Sequence, residues 1–160
     1  MAIYLEWEGI EGNVTADGYA KHLAVDSFQF GVSRGITMEA GNCANREASR
    51  PSFSEVTVTK PADNSCTAIF SEGAYGSKGK KIKVKFVQTG SDKVTEYMTY
   101  TLDNCLVSSY SVSAGSEGDP IEAISISFTE IEVNYADYDA TNAQASPQRV
   151  GYSLSKAGKK

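Results

Sequence analysis

Apolar and polar residues alternate along almost the whole chain. "AIYLEW" (residues 2–7) opens with a period of two, the signature of a strand with one buried face. "AKHLAVDSFQFGVSR" (20–34) continues it with a change of phase. Leu23 and Val25 share one parity, whereas Phe28, Phe30 and Val32 share the other. One inserted residue near Asp26–Ser27 produces that switch, which predicts a β-bulge with the three later residues facing the core. "SEVTVTK" (54–60) and "KKIKVKFV" (80–87) are further strands, the latter with Ile82, Val84 and Phe86 on one side and Lys81, Lys83 and Lys85 on the other. "KVTEYMTYTL" (93–102) follows through a "GSD" hairpin, and Asp103–Asn104 is expected to turn the chain into "CLVSSYSVS" (105–113). The stretch 121–135 reads as one long strand with a second phase switch near Thr129–Glu130, and "RVGYSL" (149–154) as a short terminal strand.

Only "DNSCTAIFSEGAYG" (63–76) has a helical pattern. Asp63, Asn64 or Ser65 can serve as N-cap, and Cys66, Ile69, Phe70 and Gly73 form the apolar face. Long bulged strands with one short helix predict a mainly β fold, a compact β-barrel with a helix at its side. The exception to the alternation is "GITMEAGNCANREASRPS" (35–52), eighteen residues with neither period. Structureless loops of that length are uncommon in compact domains. This one is neutral and partly apolar, unlike a disordered linker, and it needs a surface to lie on. A second polar excursion spans 137–149.

Composition narrows the function. The 160 residues suit one domain, 1–160, burying roughly 70% of its unfolded surface. A net charge of −5 argues against a general nucleic-acid binder. Three cysteines without metal-ligand spacing read as reduced thiols. No apolar run is long enough for a membrane span, and the N-terminus lacks the pattern of a cleaved signal.

Candidate chemistry is sparse. His22 is the sole histidine, its parity places it on the polar face as an ordinary exposed residue, and no nucleophile elbow accompanies it. "DYDATNAQASPQ" (137–148) begins like a calcium loop but has Asn142 where a glycine is needed and Gln148 where a chelating Glu is needed. "GSKGKK" (76–81) precedes a strand instead of a helix, so it lacks the basis of a phosphate loop. Glu130 and Glu132 share a face and read as solvated. The lysine ladder reads as an edge kept soluble, with pairing to acids of a neighbouring subunit as the alternative. No catalytic residue, cofactor or metal site is predicted.

Four blocks, "MAIYLEWEGIEGNVTADGYAKHLAVDSFQFGVSRGI", "REASRPSFSEVTVTKPADNS", "YTLDNCLVSSYSVS" and "PIEAISISFTEIEVNY", occur in an order that resembles the Hcp family, the tube proteins of bacterial type VI secretion. Phe28 and Phe30 stand where many members carry tryptophan, and Trp7 where a smaller apolar residue is usual. The resemblance implies a β-barrel similar to phage tail-tube proteins, assembled as a homo-hexamer whose rings stack within a sheath beneath a spike. It also implies effector proteins carried in the lumen, with synthesis in the cytoplasm and secretion without a cleaved signal. It assigns the segment 35–52 to subunit or ring contacts, with Ile36, Met38, Glu39, Arg46, Glu47 and Arg50 as candidates. It assigns the polar parity around Gln29, with Ser27 and Ser33, to the lumen. The rival expectations are a monomeric β-sandwich binding module, for example for carbohydrate through some of the nine tyrosines, and a hydrolase with an atypical site.

Overall fold

A computed structural model of the chain describes residues 1–37, 40–41, 48–89, 94–137 and 147–160. Among these residues twelve strands and one helix follow in the order β1 (Ala2–Trp7), β2 (Leu23–Val25), β3 (Ser27–Gln29), β4 (Val32–Ser33), β5 (Ser52–Phe53), β6 (Val56–Pro61), α1 (Cys66–Tyr75), β7 (Lys80–Thr89), β8 (Val94–Ser113), β9 (Ile121–Ser127), β10 (Glu130–Tyr135), β11 (Gln148–Ser153) and β12 (Gly158–Lys159). All pairings are antiparallel. Ten strands form one sheet in which β12-β11-β10-β8-β7-β1-β2 is continuous, while β9, β6 and β3 continue from the second half of β8.

The phase switches mark where a strand changes partner. At Asp26 the chain stops pairing with β1 and starts pairing with β6. At Phe128–Thr129 it leaves β6 and the second half of β8 and joins β11 and the first half of β8. The expected barrel is mainly β, as predicted, but among the described residues no ladder closes it. Its two ends, β2 and β3, are joined by one residue, and the Asp26 N–H donates to Thr59 O at 2.8 Å.

Asp103–Asn104 is not the expected turn. The strand runs unbroken through twenty residues, and it bends there because Asn104 takes a left-handed φ of 54°. The bend coincides with a register shift between Lys80 and Ile82 on β7. Gly79 makes the bend possible, since a Cβ there would fall 1.6 Å from Asn104 Oδ1 and 2.7 Å from its Cα.

Inward parities from both halves meet in one core containing Leu5, Leu23, Val58, Ile82, Val84, Leu102, Ile124 and Ile131. Phe28 packs edge-on against Phe86 with ring centres 5.3 Å apart. Phe30 contacts Tyr100 and Phe128. Val32, expected in the same core row, is 56% exposed. The reason is topological: among the described residues β4 pairs only with β5, as a two-stranded ribbon outside the main sheet.

Helix α1 lies on the second half of β8. Ile69 is fully buried, a burial that stabilises the fold by about 1.5–3 kcal/mol. Gly73 faces Val107 and Tyr110, where an added Cβ would make ordinary contacts at 3.5 and 3.6 Å. Phe70 departs from its expected buried place. It is 57% exposed, and its ring meets Tyr110 edge-on.

Candidate functional site: a hydroxyl wall, a projecting ribbon and a charged outer face

Residues opposite one another in an antiparallel ladder share a face, so the registers can be followed across the sheet. One outward row runs Ser27–Thr59–Ala123–Ser111 and the next runs Gln29–Thr57–Ser125–Ser109, across β3, β6, β9 and the second half of β8. Neither row carries a charge. Hydroxyls couple neighbouring strands, Ser27 Oγ with Thr59 Oγ1 and Thr57 Oγ1 with Ser125 Oγ. At the rim, Ser108 Oγ donates to Glu55. Ser27 and Gln29 therefore belong to a four-strand wall, whereas Ser33 stands apart on the ribbon, opposite Ser52. Thr57, Thr59, Ser109, Ser111 and Ser125 share that wall. Their parity was visible in "EVTVTK" and "SSYSVS", but the register that aligns them was not.

The ribbon is the second element. Gly31 and Ser54 exchange backbone and side-chain hydrogen bonds at its root, as do Gly35 and Ser49 further out. Ile36 bridges Ala48. At about 3.3 Å per residue, Gly31 to Ile36 carries the ribbon roughly 17 Å. The expected structureless loop thus has an antiparallel stem. Ile36 is 44% exposed and Arg50 is exposed. Met38, Glu39, Arg46 and Glu47 lie outside the described residues, as does most of the polar excursion 137–149 and the "GSD" turn.

The opposite outward face, on β1, β7, β8, β10 and β11, is charged. Its rows are Tyr4–Lys85–Thr99–Asn134–Arg149 and Glu6–Lys83–Thr101–Glu132–Gly151. The lysine ladder does not guard an edge, because β7 is flanked by β1 and β8. Lys85 Nζ lies 3.0 Å from Glu6 Oε2 and 3.3 Å from His22 Nε2. Hydrogen bonding from Lys85, outweighing partial burial, holds the Glu6 carboxyl below its usual range, with the Lys85 and Lys83 charges adding to it. His22 is not the exposed residue expected, since its side chain is 13% accessible. Its Nδ1 lies 3.2 Å from Ala20 O. That oxygen can only accept, so Nδ1 carries the hydrogen and Nε2 accepts from Lys85. Glu130 and Glu132 face Lys160 Nζ at 3.5 and 3.8 Å, and Arg149 Nε is 3.1 Å from Glu132.

The sequence reading missed a buried polar network under α1. Lys60 Nζ contacts Glu122 Oε2 at 2.6 Å and Asp63 Oδ1 at 3.0 Å. Tyr110 donates to the other Glu122 oxygen at 2.6 Å. A signal existed: Lys60 continues the inward parity of Val56 and Val58, and Glu122 that of Ile124 and Ile126. Among the described residues no group of histidine, cysteine, aspartate and glutamate could hold a metal, and no helix is long and apolar enough to cross a membrane.

An uncharged wall, a protruding ribbon and a mixed-charge back define a protein whose surfaces suit assembly. Residues 4–135 match the family described as "Type VI secretion system effector, Hcp". The chain belongs to the Hcp family of type VI secretion, whose members are tube subunits. No curated protein matches it. Among solved structures it is similar to a type six secretion system protein, at 24% identity and TM-score 0.91 over 99% of both chains. It is also similar to Hcp1 from Salmonella typhimurium, at 20% identity and TM-score 0.79 over 99% of this chain and 98% of that one. A more distant likeness is to a six-fold symmetrised anti-feeding prophage baseplate, at 10% identity and TM-score 0.51 over 82% and 90%. These likenesses establish a shared fold. The family assignment leaves the carbohydrate-binding module without support.

Proposed function

We propose that the chain is one subunit of a six-membered ring, that rings stack into a tube, and that the wall of β3, β6, β9 and the second half of β8 lines its channel. The ribbon carries this reading. It holds exposed Val32 and Ile36 away from the domain's own core, and among the described residues its stem pairs with no other strand. Seating it on the next copy would bury both side chains in a head-to-tail contact, which closes into a ring when the rotation per subunit is right. The single domain 1–160 then does geometric work, without a catalytic step.

The wall suits a passage. Its serines, threonines and glutamine offer hydrogen bonds to a travelling effector without fixed charge that would hold one sign of cargo. Spike and sheath proteins complete the machine, and the subunits leave with the tube. Ile36, Arg50 and the candidates 38, 39, 46 and 47 take the subunit contacts; Ser27 and Gln29 face the cargo.

Light scattering of the purified protein, with negative-stain images, tests the proposal. The wild type should give open six-fold rings, and Ile36→Asp should shift them toward monomers while the circular dichroism of the subunit is kept. A wild-type monomer at high concentration would overturn it.

A further inference from the structure

Between β7 and β11 the charged face contains a groove of about 230 Å³, lined by Lys83, Lys85, Arg149, Glu96, Glu132 and Asn134, with Thr99 and Thr101 on its floor. Most of its charges are already committed. Lys85 pairs with Glu6, Glu132 with Arg149 and Lys160, and Glu96 accepts from Tyr19 and Thr99. What remains is specific. The Lys83 ammonium touches no carboxylate among the described residues. Among the described residues Arg149 pairs with Glu132 through Nε, and its side chain is 67% exposed, leaving other donors of its five-donor fork to solvent. Between them, Asn134 Oδ1 is buried and accepts no hydrogen bond from the described residues. A buried acceptor without a donor costs stability unless something outside the chain satisfies it.

We propose that this groove docks an extended acidic segment of a partner protein, laid across the strands. Lys83 on β7 and Arg149 on β11 are separated by β8 and β10 and lie two residues apart in register, so three strand spacings and that offset put them about 16 Å apart. Four residues of extended chain span about 13 Å, and the flexible lysine and arginine side chains cover the difference. Carboxylates at positions i and i+4 project to the same side and would reach Lys83 and Arg149, while a hydroxyl or amide at i+2 lies over Asn134, whose side chain turns outward to let Oδ1 accept from it. The subunit's net charge of −5 repels acidic chains in general, so attraction here is local.

The test uses the whole protein and a labelled probe, acetyl-Glu-Val-Ser-Val-Glu-amide, followed by fluorescence anisotropy at low ionic strength. Controls are the same peptide with lysines for glutamates and one with the two glutamates adjacent. The probe should bind, both controls should bind less, and added salt should weaken binding. Lys83→Gln should lower affinity about three- to tenfold, and Lys83→Glu should abolish it. Asn134→Val should also weaken binding yet raise the melting temperature, because it removes an orphaned acceptor. Equal binding of the lysine peptide, or no effect of Lys83→Glu, would overturn the proposal. So would a lower melting temperature for Asn134→Val, which would mean that the chain itself uses that oxygen. Light scattering of Lys83→Glu should show the assembly state unchanged; a changed state would make the groove a contact between copies and overturn the partner assignment.

Discussion

Lys60 Nζ and Glu122 Oε2 lie 2.6 Å apart, on residues 1% and 0% exposed, directly opposite each other on β6 and β9. Two charges occupy inward parities at the end of an otherwise apolar ladder, and each is tied to a third element. Lys60 reaches Asp63 ahead of α1, and Glu122 accepts from Tyr110 on β8. Such a pair is weak evidence for net stability, because desolvation offsets the attraction. Removing one member is different. Lys60→Met leaves the buried Glu122 carboxylate without its counter-ion and should cost about 3–5 kcal/mol, measured by urea unfolding; Glu122→Gln leaves Lys60 still paired with Asp63 at 3.0 Å and should cost less. The double substitution should recover much of the loss. If each single variant costs no more than the double, the two residues are not coupled.

The same network predicts an acid response. Burial alone would raise the Asp63 pKa, but hydrogen bonds from the Ser65 hydroxyl, Lys60 and the Ser65 N–H hold it below the usual range. A carboxyl with a folded value below its unfolded one, about 3.9, stabilises the fold fully above the unfolded value. That stabilisation disappears as pH falls through the folded value. The urea midpoint of the wild type should therefore drop below about pH 4, and Asp63→Asn should drop less steeply over that window. Parallel curves for the two proteins would remove Asp63 as a cause.

How far the sequence reveals this fold depends on which property is asked for. Strand faces are local, so the phase switches at Asp26 and near Thr129 were legible, because a one-residue slip moves every later side chain to the other face. Partners are not local. Asp103–Asn104 has turn composition, yet neighbours on both sides hold β8 together through it as a bend. Alternating lysines suggest an edge, yet β7 is interior and its lysines meet Glu6, His22 and Asp103 from other strands. Val32 continues the pattern of Phe28 and Phe30, but the ribbon takes it away from the core. At the candidate site Ser27 and Gln29 were found by parity, whereas the wall they join required the register of four strands.

The bend in β8 gives a third prediction. Gly79→Ala would place a Cβ against both the side chain and the backbone of Asn104. The backbone there cannot yield without disturbing the β7–β8 register. A loss of about 1–3 kcal/mol is expected, seen as a lower melting temperature. At Gly31 an added Cβ would meet only Ser54 Oγ at 3.7 Å, so Gly31→Ala serves as a tolerated control. A stable Gly79→Ala protein would mean that the bend can relocate along β8.

The thiols give the fourth. Cys105 sits at that bend, 3% exposed, and burial together with the Asp103 charge pushes its pKa up to about 12. The thiolate is the reactive form, so at pH 8 Cys105 should resist alkylation by iodoacetamide in the folded protein and react once urea unfolds it. Cys66, half-buried at the start of α1, should react faster under native conditions. Mass spectrometry of the alkylated peptides separates the two sites. The comparison also reports on the core itself: Cys105 packs with Ile82 and Leu102 in one cluster, so early labelling there would mean that β8 opens at Asn104 without global unfolding. Labelling that follows the urea transition would show instead that the two halves of the sheet, joined through β8, unfold as one unit.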